Sequence, residues 1–79
     1  LKGVKLAYLG DGNNNVTHSL LFGCAKMGMH ISVGCPKGDE YEPLSSVLAG
    51  TRKIAKKTGS TIVVTADALE AAKGADVVY

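Results

Sequence analysis

Six consecutive residues, Gly10-Asp11-Gly12-Asn13-Asn14-Asn15, bring together two glycines, one carboxylate and three carboxamides just ahead of an apolar-periodic stretch that opens at Val16. A loop delivered to the start of a helix in this way aims backbone N–H groups and the positive end of the helix dipole at whatever it holds, which favours a carboxylate or phosphate. Carboxamides add directed donors and acceptors without charge. The stretch begins like the dinucleotide fingerprint G-x-G-x-x-G, but Asn15 replaces the third glycine, the one that lets helix and strand pack closely. The second strand also lacks a terminal acid to meet a ribose. It runs into Cys35-Pro36-Lys37, with Asp39 and Glu40 beyond a turn. A nicotinamide cofactor is therefore disfavoured.

At each loop position a structural role competes with a ligand-binding one. Asn15 stands either as the helix N-cap or as a side chain offered to a ligand. Asn13 and Asn14 suit turn positions and unusual backbone angles. Asp11 is expected to hold the loop by accepting from backbone N–H groups. His18 and Ser19, one turn into the helix, have no nucleophile, base and orienting group around them, so no catalytic residue is assigned. Cys24 lies on the apolar stripe and reads as a small core residue. Arg52, Lys53, Lys56 and Lys57 fall in the last turns of a second helix, where cations offset the dipole; a solvated helix end explains them better than a phosphate patch.

The elements that must position this loop follow from the hydrophobic pattern. Val4 to Leu9 is β-prone and is stopped by the glycine-rich turn. Val16, Leu20, Cys24 and Met27 recur at helical steps, and Gly28 ends that helix. His30 to Cys35 is a second strand, closed by Pro36 and Lys37-Gly38-Asp39. Leu44, Val47, Leu48, Thr51, Ile54 and Ala55 trace a second amphipathic helix, with Pro43 in its first turn and Gly59 as its stop. Thr61 to Thr65 is a third strand. Asp67 and Glu70 have capping-box spacing for a short third helix, ended by Gly74 before a fourth strand at Val77 to Tyr79. The order βαβαβαβ, with short connections, predicts an open doubly wound parallel sheet of Rossmann-like α/β type with strand order 3-2-1-4. Ligands of such sheets sit at the carboxyl ends of the strands where the winding reverses, which places Gly10 to Asn15 at the expected binding position.

Composition narrows the function classes. At 79 residues, the chain holds one domain or part of one, and 46% hydrophobic with 20% charged residues is enough apolar material to fold. A net charge of +2 with one Phe and no Trp argues against nucleic-acid binding. Cys24 and Cys35 show neither a C-x-x-C spacing nor a Cys/His cluster, so neither a metal site nor a disulfide framework is indicated, and a reducing, cytoplasmic setting is expected. No apolar run reaches the ~18 residues of a membrane span, and Leu1-Lys2-Gly3 is not a signal-peptide start. Because residue 1 is not Met and the last strand stops without a turn, residues 1–79 are expected to be a truncated piece of a single domain.

The stretch GDGNNNVTHSLLFGCAKMGM, then CPKGDEYEP, then TADALEAAKGADVVY, resembles the ornithine carbamoyltransferases, over nearly the whole chain and in order. The match is to the opening part of their C-terminal, ornithine-binding domain, and the Gly-Asp-x-x-Asn-Asn pattern followed by His-Ser-Leu-Leu is its most specific element. Three asparagines stand where many relatives have two, so the loop is one residue longer than the commonest form. Anchored on the helix, the resemblance assigns ornithine binding to Asn15, which immediately precedes Val16, with Asn14 as the second candidate. Aspartate carbamoyltransferases share the Gly-Asp start and the His-Ser-Leu, but carry an arginine three residues before the histidine, suited to a dicarboxylate; here that position is Asn15. An aspartate-type domain and a nucleotide-binding module are the alternatives.

The resemblance implies a parent enzyme that moves the carbamoyl group of carbamoyl phosphate to the δ-amine of L-ornithine, giving L-citrulline and phosphate without metal or cofactor. It further implies a homotrimer or multiple of trimers in arginine metabolism. The family's Ser-Thr-Arg-Thr and His-Pro-x-Gln segments for carbamoyl phosphate, and the Asp, Ser-Met-Gly and His-Cys-Leu-Pro elements of the remaining site, are not in these residues. The 79 residues alone are expected to be inactive.

Overall fold

A computed structural model describes residues 3–38 and 40–79; Leu1, Lys2 and Asp39 lie outside the described residues, and with them one end of the predicted Lys37-Gly38-Asp39 turn. The elements run β1 (Lys5–Leu9), α1 (Asn15–Met27), β2 (His30–Gly34), α2 (Ser45–Thr58), β3 (Ile62–Thr65), α3 (Ala68–Ala72) and β4 (Val77–Val78). The four strands form one sheet in the order β3-β2-β1-β4, and every pairing is parallel. Both the α/β class and the predicted order are therefore observed. β1 leads outward to β2 on one side and meets β4 on the other, so the winding reverses beside β1.

Register decides which side chains share a face. Leu6 aligns with Ile31 and Ile31 with Ile62, while Tyr8 aligns with Val33 and Val33 with Val64. Alternation puts all six on one side of the sheet. There they form the core with Leu21 and Cys24 of α1, and with Leu20, Val47 and Leu48 packed against them. Leu21, Ile31 and Val33 are fully buried; each contributes about 1.5–3 kcal/mol relative to an exposed side chain. The opposite face is built for close approach. Ala7 and Ser32 are buried on it, and a Cβ on Gly34 would lie 3.0 Å from the Cβ of Ala71 and 2.9 Å from Cδ2 of Leu9. Small residues thus let α3 settle directly on the strands.

Two helix readings need correction. The buried positions of α1 are Thr17, Leu21, Cys24 and Ala25, whereas the predicted stripe members Val16 and Met27 are about half exposed. The core-facing stripe begins at Thr17 because its hydroxyl is satisfied inside, within reach of the Asp11 carbonyl at 3.0 Å and Asn14 Oδ1 at 3.2 Å. A hydrogen-bonded threonine can occupy a core position that hydrophobicity alone would deny it. Pro43 lies ahead of α2, which begins at Ser45 with Leu44 as its cap residue. The stops hold as expected: α1 ends at Gly28 and α2 at Gly59, both left-handed. Asp67 caps α3 by accepting from the N–H groups of Leu69 and Glu70 at 3.0 and 3.2 Å. Its own N–H goes to Thr65 Oγ1 rather than to Glu70, so the reciprocal half of the capping box is replaced.

Candidate functional site

The β1–α1 loop is assembled by short, directional contacts. Asp11 Oδ1 accepts from the Asn13 N–H at 2.8 Å, the Asx-type bond expected of it. The N-cap of α1 is Asn14, not Asn15: its backbone is extended, and its Oδ1 accepts from the Thr17 N–H at 2.9 Å. The Asn14 amide nitrogen donates to the Asp11 carbonyl at 2.7 Å and to the Tyr8 hydroxyl at 3.1 Å. Both ends of that carboxamide are thereby engaged. Among the described residues no non-glycine residue takes a positive φ, so neither Asn13 nor Asn14 uses left-handed backbone; Asn13 joins the loop through its backbone N–H and Asn14 through its side chain.

Asn15 is different. As the first helical residue it is exposed, and its side chain makes no hydrogen bond among the described residues. It borders a groove with Val16, Ser19, Leu20 and Tyr79. That groove lies between the start of α1 and the end of β4, at the carboxyl side of the reversing sheet, where the topology rule places a ligand. The first turn of α1 carries no acidic residue, so nothing on it opposes an anionic group at the helix start. Tyr79 is anchored by donating its N–H to the Ala7 carbonyl and accepting from the Leu9 N–H, and its ring stacks on Tyr8 with centroids 5.6 Å apart.

The segment between β2 and α2 folds over the other side of the loop. Gly12 donates its N–H to the Tyr41 carbonyl at 2.7 Å, and a Cβ on Gly12 would meet that same oxygen at 2.7 Å and Cδ of Pro43 at 2.9 Å. In a dinucleotide fingerprint this glycine leaves room for a pyrophosphate; here protein fills the room and takes the donor. His18 joins the same support through Nε2, which accepts from the Leu44 N–H at 3.3 Å. A second hollow, lined by Glu42, Pro43, Leu44, Ser45 and Leu48, contains none of the loop residues.

Cys24 and Cys35 are free and buried. Burial pushes both thiols above the usual range, and the Glu42 and Asp11 carboxylates add to the effect at Cys35. Raised thiols suit packing rather than nucleophilic attack. Among the described residues there is no cluster of three His, Cys, Asp or Glu side chains able to hold a metal ion, and no helix long and apolar enough to cross a membrane. Arg52, Lys53, Lys56 and Lys57 are exposed at the far end of α2. Sequence reasoning missed the contributions of Tyr8, Tyr41 and Tyr79: only Tyr8 lies beside the turn in the chain, Tyr41 acts through its backbone carbonyl, and Tyr79 reaches the loop only through the sheet.

Residues 2–79 match the family described as aspartate/ornithine carbamoyltransferase, Asp/Orn binding domain. The chain belongs to that family. It is 53% identical over all 79 residues to an ornithine carbamoyltransferase of Bacillus subtilis and 49% identical to one of Hyperthermus butylicus, spanning 24% of the length of each. A crystal structure of ornithine carbamoyltransferase from Gloeobacter violaceus superposes with a TM-score of 0.90 at 48% identity, over 100% of this chain and 27% of that one. Ornithine transcarbamoylase from Giardia lamblia gives 0.94 at 41% identity, over 99% and 26%. The chain thus spans about a quarter of the length of these relatives, and the loop and reversing sheet described above lie within the residues that match an Asp/Orn binding domain.

Proposed function

We propose that residues 1–79 are part of the ornithine-binding domain of an ornithine carbamoyltransferase, with Asn15 as the residue that contacts L-ornithine. The observation that carries this reading is the division of labour between neighbouring asparagines: the Asn14 amide is consumed in building the loop, while Asn15 stands exposed on the groove beside Tyr79. A neutral carboxamide at the positive end of a helix holds the amino-acid end of ornithine without placing a fixed cation near the substrate's own ammonium groups. An arginine at the same place would suit a second carboxylate instead. Ornithine carbamoyltransferases among the relatives support the same substrate.

In the parent enzyme the neutral δ-amine of ornithine attacks the carbonyl carbon of carbamoyl phosphate. A C–N bond forms, the C–O bond to phosphate breaks with its electron pair leaving on phosphate, and the amine sheds a proton. Such transfer needs positioning and stabilisation of developing charge more than a protein nucleophile. Asn15 orients the carrier of the nucleophile and moves no proton. Carbamoyl phosphate is supplied by an N-terminal domain outside these residues, so the 79 residues alone are inactive. The parent works without a cofactor, in the cytoplasm, in arginine metabolism, as a homotrimer or multiple of trimers; sedimentation of the full-length polypeptide as any other species would contradict the assembly.

The decisive experiment is Asn15→Ala in the full-length polypeptide. The ornithine KM should rise by roughly tenfold or more, as expected when a directed polar contact to a charged substrate is lost. A change confined to carbamoyl phosphate kinetics would refute the assignment.

A further inference from the structure

The geometry points to Tyr8 as a positioning residue for ornithine, acting through Asn14; this rests on the reading of Asn15 given above. Tyr8 is a β1 residue that the core almost encloses, at 8% exposure. Its hydroxyl nevertheless reaches the loop and accepts from the Asn14 amide nitrogen at 3.1 Å. Buried tyrosines place their hydroxyl against a partner, and this partner is the N-cap of the helix on whose first residue Asn15 sits.

The hydroxyl sets the sense in which the Asn14 carboxamide points. With Nδ2 held by Tyr8 and by the Asp11 carbonyl at 2.7 Å, Oδ1 faces the Thr17 N–H at 2.9 Å. Turning the amide over would set its NH2 against the Thr17 N–H and its oxygen against the Asp11 carbonyl, two repulsive pairs. The same ring stacks on Tyr79, at 5.6 Å and 15° between planes, and Tyr79 is the far wall of the groove that Asn15 borders. Tyr8 therefore ties both walls of the groove to β1: the helix start through the cap, and the end of β4 through the stack. A displacement of either wall by a fraction of an ångström changes how Asn15 meets its substrate.

Tyr8→Phe in the full-length polypeptide keeps the ring stack and removes only the hydroxyl. Its ornithine KM should rise about threefold to tenfold, the range expected for one hydrogen bond, with the carbamoyl phosphate KM within about twofold of the parent value. Asn14→Ser retains a capping oxygen but no amide donor. In that background Tyr8→Phe should add nothing, because the hydroxyl has lost its partner. An ornithine KM unchanged by Tyr8→Phe, an equal rise for both substrates, or the same rise with and without the Asn14→Ser change would overturn the proposal. Should Tyr8→Phe fail to fold, Asn14→Ser alone must raise the ornithine KM, and an unchanged value is equally fatal. Asn15→Ala separates the two readings. If Asn15→Ala raises the ornithine KM and Tyr8→Phe does not, only the role of Tyr8 fails; if Asn15→Ala leaves it unchanged, ornithine binding by this loop fails with it.

Discussion

Two adjacent asparagines with identical chemistry do opposite things, and the difference is one helical step of about 100°. Asn14, still extended, turns its oxygen back onto the Thr17 N–H; Asn15, already helical, projects outward. Replacing Asn14 by Ala should cost about 1 kcal/mol or more, since a cap and a bond to Tyr8 go together, and the denaturant midpoint of the full-length polypeptide reports it. The cysteines carry a pH signature. Both thiols are raised, chiefly by burial, so the folded chain holds these protons more tightly than the unfolded one. Their contribution to stability is complete below the unfolded thiol value of about 8.5 and is lost as pH rises through the folded values. A series of urea midpoints should fall more steeply above that point than those of a Cys24→Ala, Cys35→Ala variant; parallel curves would show the thiols do not titrate with unfolding.

Among the elements, α1 is the one whose placement matters most, and it is held at three points: by its cap, by the fully buried Thr17 and Leu21, and by His18 against the Leu44 N–H. The segment ahead of α2 supports it from outside through Tyr41 and Gly12. Gly12→Ala would push a methyl onto the Tyr41 carbonyl, at 2.7 Å, and onto Pro43. Overpacking of this kind costs roughly 1–3 kcal/mol, and here it also shifts the loop that carries Asn15. The variant should therefore lower the thermal midpoint and raise the ornithine KM together; a stability loss with unchanged kinetics would mean the segment yields without moving the loop. The stripe of α1 was legible as a helix but not in its rotation, because Val16 and Met27 are as apolar as any core residue and only the hydrogen bonds of Thr17 show which face is inward.

At the scale of the whole molecule, β1 and β2 are flanked on both sides, while β4 is two residues long and pairs only with β1. Leu69, Val78 and Tyr79 are 85%, 58% and 64% exposed, so β4 and the end of the chain contribute little to the buried core. Amide exchange in the isolated 79-residue chain should thus be slowest at Ile31 and Val33 and fastest, within the sheet, at Val77 and Val78 of β4; equal protection across the four strands would mean the edge is not the weak point. Alternating strand and helix patterns, the glycine stops, the absence of a dinucleotide fingerprint and the carboxamide loop could all be read from order along the chain, because each depends on neighbours within a turn or two. Alternation pointed to a doubly wound parallel sheet but admits more than one strand order; the pairing of β4 with β1 is what gives 3-2-1-4. What awaited the folded arrangement was which asparagine caps and which is left exposed on the groove, and why Gly12 must be a glycine. Those outcomes are contests for a single donor or a single space, won by Tyr8, Tyr41 and Thr17 through contacts that spacing along the chain does not encode.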